Sequence, residues 1–183
     1  YLAFDVNEET LPTAVAGLKV LGARGFNLTM PDKNLMVSLC DELSTAARII
    51  GAVNTVVNED GRLVGHNTDG IGYMQSVKDA GYDIIGKKMT LLGAGGAATA
   101  ILVQAALDGL KEISVFVRPT SRFYDRLVHT VEELTEITDC RIRICDFSDA
   151  NLLKKELADS AILTNGTSVG MAPHEDTCPV PEN

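Results

Sequence analysis

The chain has 183 residues, of which 45% are hydrophobic and 22% charged, and this ordinary composition excludes a disordered or fibrous protein. Its 25 acidic residues outnumber its 16 basic residues, and the formal net charge of -9 has the wrong sign for a general nucleic-acid binder. No apolar run approaches the roughly 20 residues that span a bilayer, and no signal peptide is visible, so we expect neither a nucleic-acid nor a membrane partner.

Four cysteines and three histidines are scattered along the chain without the spacing of a metal site. Cys140 and Cys145 bracket a strand-like segment that would hold them about 16 Å apart, too far for a disulfide. We therefore expect reduced structural thiols, no metal and a cytoplasmic location. Since the chain starts without Met and ends in a segment that closes no element, we also expect it to be part of a longer protein.

The first part of the chain mixes short strands and helices. In chain order we predict a strand at 1–6, a helix from Leu11 to Leu21, a strand at 26–29, a helix at 45–50, and strands at 52–57 and 63–68. Ser44 is a suitable N-cap for the helix that follows it. The last two strands are predicted to form a hairpin, because Asp60-Gly61 supplies the positive φ that a tight turn needs.

The second part alternates strands with helices. The predicted strands are 88–92, 113–117, 141–145 and 161–165, and the predicted helices are 97–107, 124–134 and 152–157. This order predicts a doubly wound parallel sheet. The expected fold class is α/β, with a Rossmann-like sheet preceded by a smaller and incomplete α/β domain. We place the boundary within Gly70–Lys87 and predict a substrate-binding domain at 1–75 and a dinucleotide-binding domain at 76–183, each truncated at its outer end.

A glycine-rich turn joins the first strand and helix of the second part. Gly93-Ala94-Gly95-Gly96-Ala97-Ala98 fits the pattern G-x-G-x-x-G/A. Gly93 permits the tight turn, Gly95 lets the backbone approach a pyrophosphate, and Ala98 lets the helix pack closely on the strand. The helix N-terminus adds amide donors and the positive end of a dipole. We therefore predict dinucleotide binding here, with a purely structural turn as the alternative.

Polar side chains lie in loops or at strand ends of the first part. They are Lys33, Asn54, Thr55, Asn67, Thr68 and Asp69. Each has an ordinary structural explanation by itself, such as a surface lysine or a turn with Asx hydrogen bonds. Hydride transfer from an alcohol, however, needs one group that takes the hydroxyl proton and others that hold the substrate in register. A lysine and an aspartate with amide and hydroxyl neighbours are suitable for that chemistry.

Five segments carry a more specific pattern than any one of them alone. They are Asn27–Lys33, Ile50–Thr55, Asn67–Gly70, Gly93–Ala98 and Asn165–Met171. In this order they resemble the shikimate dehydrogenase family, including its quinate/shikimate dehydrogenase branch. The resemblance implies a two-domain oxidoreductase of aromatic amino-acid and chorismate biosynthesis. Such an enzyme reduces 3-dehydroshikimate to shikimate with a nicotinamide dinucleotide, in a cleft between its domains.

The resemblance also implies roles for the matching positions. Lys33 corresponds to the catalytic lysine and Asp69 to its partner acid. The implied substrate-binding residues are Thr29, Lys33, Asn54 and Asp69. The implied cofactor-binding residues are Gly93, Ala94, Gly95, Gly96 and Ala97 in the pyrophosphate loop, and Thr167, Val169 and Met171 beside the nicotinamide.

The choice of cofactor depends on the end of the second strand of the sheet. A fold that prefers NAD usually places an acid about 20 residues after the glycine turn, whereas arginine suits the 2′-phosphate of NADP. No acid occurs between Arg118 and Asp125, and Arg118 and Arg122 fall on the arginines of the family's Asn-Arg-Thr-x-x-Arg pattern, from which Val117 and Pro119 depart. We therefore predict NADP rather than NAD, with two solvated surface arginines as the alternative.

Other functions compete with this interpretation. One is a quinate/shikimate dehydrogenase that uses NAD or both cofactors, and another is a Rossmann dehydrogenase that acts on a folate. A third is a non-catalytic dinucleotide-sensing module, which would be expected to lose Lys33 or Asp69, although both are present. In every case we expect a small-molecule ligand, and we include a homodimer among the expected assemblies.

Overall fold

A computed structural model gives the fold for residues 2–173 and 175–180. The chain divides into two units, Tyr1–Asp69 and Gly70–Asn183. Within the described residues, no helix is long and apolar enough to cross a membrane.

The first unit combines three helices with a four-stranded mixed sheet. Its helices are α1 (Leu11–Val20), α2 (Met36–Leu39) and α3 (Thr45–Ile50), and its strands are β1 (Gly25–Asn27), β2 (Glu42–Leu43), β3 (Thr55–Glu59) and β4 (Arg62–His66). The strand order is β1-β3-β4-β2, and β3 pairs antiparallel with both β1 and β4, while β2 pairs parallel with β4. Leu11 and Val15 of α1 belong to a buried cluster with Met36, Val53 and Leu63.

Local signals in the sequence explain α3 and the hairpin. The hydroxyl of Ser44 accepts a hydrogen bond from the Ala47 amide at 3.2 Å, and Gly51 ends α3 in the left-handed region with a φ of 61°. Asp60 and Gly61 have φ values of 51° and 90°, and β3 and β4 pair antiparallel on either side of them. The predicted helix cap and hairpin are therefore confirmed.

Other predictions for this unit were wrong. Residues 2–6 form no strand, and Leu2 and Phe4 are 77% and 65% exposed. A strand is stable only when its backbone groups pair with a neighbour and one of its faces is buried, which an alternating sequence alone does not guarantee. Tyr1 lies outside the described residues. Leu21 follows the last residue of α1 and is exposed, so it does not join the buried face of that helix.

The second unit has the predicted parallel sheet. Its helices are α4 (Asp69–Asp79), α5 (Gly96–Leu107), α6 (Tyr124–Ile137) and α7 (Ala150–Asp159), and its strands are β5 (Lys88–Leu92), β6 (Glu112–Val117), β7 (Arg141–Asp146) and β8 (Ile162–Asn165). The strand order is β7-β6-β5-β8, and all three pairings are parallel. The α/β fold class with a Rossmann-like doubly wound sheet is therefore confirmed.

Helix α4 occupies a segment in which the sequence indicated only a boundary. Glycine lowers helix propensity, and Gly70 and Gly72 lie in its first turn. A Cβ atom at Gly70 would lie 2.3 Å from the carbonyl oxygen of Ala100 and 2.6 Å from the Cβ of Gln104. The absence of a side chain at Gly70 thus allows α4 to pack directly on α5, and this tertiary contact outweighs the local propensity.

The amino ends of the parallel strands carry a cluster of paired charges. Glu156 of α7, with a side chain 2% exposed, lies 2.6 Å from both Lys88 Nζ and Arg143 Nη2 and accepts a hydrogen bond from Ser114 Oγ at 2.6 Å. Arg143 also lies 2.6 Å from Glu112. Burial by itself raises the pKa of Glu156, but the hydrogen bonds from Lys88 and Ser114 outweigh it and lower that pKa to about 2. The cluster therefore attaches α7 to β5, β6 and β7.

We predict that Glu156→Gln destabilises the protein by roughly 3 kcal/mol near neutral pH, because it removes the charge of a buried carboxylate that pairs with both Lys88 and Arg143. The pKa of Glu156 is about 2 in the folded protein against an ordinary 4.5, so its stabilising contribution is complete above the higher value and disappears as pH falls towards the lower one. Urea unfolding of the two proteins should therefore converge at acidic pH. The exposed Glu136→Gln variant on α6 serves as the control and should unfold like the wild type, whereas an equal loss in both variants would contradict the prediction.

Candidate active site

Lys33 and Asp69 form an ion pair in the first unit. Lys33 Nζ lies 2.8 Å from Asp69 Oδ2, and the two side chains are 19% and 42% exposed. The carbonyl of Lys33 accepts a hydrogen bond from the Val53 amide at 2.8 Å, which fixes the lysine beside the segment that precedes β3. The fold thus brings together the two residues that the sequence predicted to be catalytic, and it leaves the pair partly open to solvent.

Asn54 holds the other oxygen of the same carboxylate. Its side chain donates from Nδ2 to Asp69 Oδ1 at 2.8 Å and to Thr68 Oγ1 at 3.0 Å. Its Oδ1 accepts hydrogen bonds from the Thr55 hydroxyl and the Thr68 amide, both at 3.0 Å. Asn54 is only 8% exposed, so its carboxamide is a fixed part of the interior. The two oxygens of Asp69 therefore have different partners, which sets the orientation of the carboxylate.

Asn67 belongs to the polar cluster that the sequence predicted, and the structure makes it a positioning residue. It is 3% exposed, its Nδ2 donates to the carbonyl of Ala52 at 3.1 Å, and its Oδ1 accepts from the Asp69 amide at 3.1 Å. The second of these bonds is an Asx turn, which the segment Asn67-Thr68-Asp69-Gly70 favours. The first bond joins residues distant in sequence and only appears in the folded chain. Asn67 therefore fixes the backbone at Asp69 and the segment that carries Asn54.

Thr29 lies outside this hydrogen-bond network. It is exposed, and its carbonyl accepts a hydrogen bond from the Asp32 amide at 3.2 Å. Within the described part of the chain, no hydrogen bond joins Thr29 to Lys33 or Asp69. Its substrate-binding role therefore stays a prediction from the sequence.

The glycine turn of the second unit leaves space above the first turn of α5. Gly93 has a φ of 100°, and a Cβ atom there would lie 2.9 Å from Thr167 Cγ2 and 3.1 Å from the carbonyl oxygen of Gly166. At Gly95 and Gly96, by contrast, a Cβ atom would meet nothing within 4 Å. Gly93 is thus required by the fold itself, while the next two glycines keep the helix N-terminus open. Amide donors at an open helix N-terminus fit the pyrophosphate of a dinucleotide.

Ala98 is small for the reason that the pattern predicts, and its partner is a second glycine. A Cβ atom at Gly166 would lie 2.7 Å from the Cβ of Ala98. Gly166 follows β8 directly, and its amide donates to the carbonyl of Leu92 at 2.9 Å. Two small residues therefore let the start of α5 and the end of β8 approach each other.

The carboxyl end of β6 lies beside the glycine turn and carries the two arginines. The amide of Gly93 donates to the carbonyl of Phe116 at 2.8 Å, and Arg118 follows β6 directly. Arg118 and Arg122 are exposed, and the Arg122 guanidinium lies 4.7 Å from the centre of the Phe123 ring. A stacked guanidinium that remains exposed is suited to contact a phosphate.

Comparisons with known proteins extend this picture. Residues 1–56 match the family model described as the shikimate dehydrogenase substrate binding domain. The shikimate dehydrogenase (NADP(+)) of Listeria monocytogenes serotype 4b (strain F2365) is 54% identical over 175 residues, 96% of this chain and 60% of the relative. The quinate/shikimate dehydrogenase of Escherichia coli (strain SMS-3-5 / SECEC) is 47% identical over 176 residues, 96% of this chain and 61% of the relative.

A solved structure gives the same result at the level of the fold. The crystal structure of shikimate 5-dehydrogenase from Listeria monocytogenes, in complex with shikimate and NAD, matches with a TM-score of 0.95 and 52% identity. The match covers 100% of this chain and 63% of that one. The chain thus spans about three fifths of the length of the curated relatives it matches.

Proposed function

The chain belongs to the shikimate dehydrogenase family, and we propose that the whole protein reversibly reduces 3-dehydroshikimate to shikimate with NADPH. The step would serve aromatic amino-acid and chorismate biosynthesis. The observation that carries this proposal is the Lys33–Asp69 pair at 2.8 Å, since it places a proton donor and an acceptor together as alcohol–ketone chemistry requires. The names of the curated relatives and the shikimate bound to the solved relative support the choice of substrate.

The two units would divide the work. We propose that residues 1–75 hold the substrate, through Thr29, Lys33, Asn54 and Asp69, and that residues 76–183 hold the dinucleotide. The open N-terminus of α5 would receive the pyrophosphate, with contacts from the turn Gly93–Ala97. Arg118 and Arg122 would contact the 2′-phosphate, and Thr167, Val169 and Met171 the nicotinamide.

The proposed mechanism assigns a task to each polar residue around the pair. NADPH, when bound, supplies the hydride that reduces the carbonyl carbon. The Lys33 ammonium donates a proton to the carbonyl oxygen, which becomes the new hydroxyl, and in the oxidation direction the lysine takes that proton back. Asp69 keeps the ammonium in place and accepts a hydrogen bond from the substrate. Asn54 and Asn67 hold Asp69 still, so that little reorganisation accompanies the transfer.

Two alternatives differ in how well the site supports them. Quinate as a second substrate, with NAD or both cofactors, is supported by the 47% identity to a quinate/shikimate dehydrogenase. A non-catalytic dinucleotide-sensing module is not favoured, because such a module would not need the buried amides that orient the Lys33–Asp69 pair.

We also propose which partners, cellular location and assembly the enzyme has. The net charge of -9 supports the absence of a nucleic-acid partner. A reducing, cytoplasmic location is supported by the free thiols of all four cysteines and by burial, which raises the pKa of Cys40 and Cys140 to about 11 and keeps those thiols unreactive. A homodimer is the assembly we include, and light scattering on the whole protein tests it.

We predict that the whole protein oxidises shikimate with NADP+ and that Lys33→Ala lowers turnover by about 10²–10⁴-fold, the usual range for loss of a general acid or base. Affinity for the dinucleotide should stay nearly unchanged. Initial rates at saturating substrate, together with dinucleotide titrations, measure both quantities. Lys19→Ala is the matched control, because Lys19 forms a comparable pair with Asp41 at 3.1 Å in the same unit. Turnover by Lys33→Ala above half the wild-type rate would remove Lys33 from the mechanism.

We also predict that Arg118→Ala and Arg122→Ala each raise the KM for NADP and leave the KM for NAD nearly unchanged, because only NADP carries the 2′-phosphate. Rates measured with each cofactor over a range of concentrations give the comparison. Arg141→Ala is the control, since Arg141 is an exposed arginine at the opposite, amino-terminal end of the sheet. Equal losses with both cofactors, or a wild-type preference for NAD, would refute the assignment.

A further inference from the structure

The order of the strands separates the two halves of a dinucleotide. Strand β5 has β6 on one side and β8 on the other, so the chain reverses its direction of winding at this point. In such sheets a dinucleotide lies across the carboxyl ends of the strands at the reversal, and the end of the second strand contacts the adenosine ribose. In this chain the second strand is β6, so the adenosine half belongs over β6. The reactive half therefore belongs over the end of β8, where Asn165 lies.

The side chain of Asn165 organises the loop that follows β8. Its Oδ1 accepts hydrogen bonds from the Thr167 amide at 3.0 Å and from the Thr167 hydroxyl at 2.6 Å. Its Nδ2 donates to the carbonyl of Val169 at 3.0 Å, and the Val169 amide donates back to the Thr167 hydroxyl at 3.1 Å. Both ends of the carboxamide are thus used within the loop. Asn165 acts on the conformation of the loop and has little capacity left for a ligand.

This loop packs on the glycine turn. The methyl group of Thr167 lies where a Cβ atom at Gly93 would come within 2.9 Å of it, and Gly166 contacts Ala98 at the start of α5 in the same close manner. The loop also exposes two apolar side chains, Val169 at 38% and Met171 at 63%. A ligand bound at the glycine turn would therefore meet this loop as its next neighbour.

We propose that Asn165 is a positioning residue of the dinucleotide site, which holds Thr167–Met171 in the binding conformation before the cofactor arrives. The inference rests on the proposed function and assigns to Asn165 a role distinct from that of the residues that touch the cofactor. A preordered loop loses less conformational entropy on binding, so the side-chain hydrogen bonds of Asn165 increase affinity without contacting the ligand. The effect is confined to the nicotinamide half, because the arginines that face the adenosine half lie across β5 at the end of β6.

The test compares two ligands that share the adenosine half. NADP+ and adenosine 2′,5′-bisphosphate are titrated into the whole protein by calorimetry, and the second ligand lacks the nicotinamide, its ribose and the phosphate attached to that ribose. Asn165→Ala is expected to weaken NADP+ about tenfold and to leave the bisphosphate within about twofold, since only the nicotinamide half meets the loop. Asn165→Asp keeps the acceptor for Thr167 but loses the donor to Val169, and is expected to give an intermediate loss for NADP+. Hydrogen exchange at the Thr167 and Val169 amides should accelerate in Asn165→Ala without any ligand.

The matched control is a variant that loses a similar side-chain-to-backbone hydrogen bond elsewhere in the second unit. Asp83 accepts a hydrogen bond from the Ile85 amide at 3.1 Å in an exposed loop, and Asp83→Ala should change neither affinity. Unchanged NADP+ affinity in both Asn165 variants, or equal losses for both ligands, would overturn the proposal. Failure of the wild type to bind either ligand would instead overturn the proposed function on which it rests.

Discussion

The buried carboxamide of Asn54 is the constraint on which the candidate active site depends. It joins the start of β3 to the segment that leads into α4, because it bonds to Thr55 on one side and to Thr68 and Asp69 on the other. An amide buried to this extent must keep its hydrogen bonds or lose free energy for each one left unsatisfied. The orientation of Asp69, and with it the place of Lys33, therefore follows from a requirement of folding. Stability and the proposed chemistry depend on the same hydrogen bonds.

In the second unit, the candidate site depends on the close approach of two backbone segments, the glycine turn and the loop after β8. Gly93 and Gly166 leave no room for a Cβ atom, because it would lie within 3 Å of Thr167 in the first case and of Ala98 in the second. This close packing brings the glycine turn and the loop after β8 together at the carboxyl ends of the parallel strands. At the amino ends of the same strands, the charges around Glu156 fix α7. The carboxyl ends of the strands thus carry the candidate binding site, and the amino ends hold α7 in place.

Much of this could be predicted from the sequence, wherever a signal is local. The Ser44 cap, the Asp60-Gly61 hairpin and the glycine turn each depend on a few consecutive residues, and the structure has all three. Helix α4 could not be predicted because its glycines disfavour a helix locally, and only the close contact of Gly70 with α5 stabilises it. The strand predicted at 1–6 was wrong because an apolar alternation does not supply a neighbouring strand with which to pair. The role of Asn67 depends on the Ala52 carbonyl, which only the folded chain brings within reach.

The most direct measurement is the kcat of the whole protein for shikimate oxidation in Asn67→Ala and Asn58→Ala. Asn58 has the same kind of bonds as Asn67, donating to the carbonyl of Ala23 at 2.9 Å and accepting from the Gly61 amide at 2.8 Å, but it lies in β3, away from Asp69. If the buried amides position the Lys33–Asp69 pair, Asn67→Ala should lower kcat by about 100-fold, the usual cost of a misplaced catalytic group, while Asn58→Ala stays within about twofold of the wild type. Equal kcat values in the two variants would contradict the account.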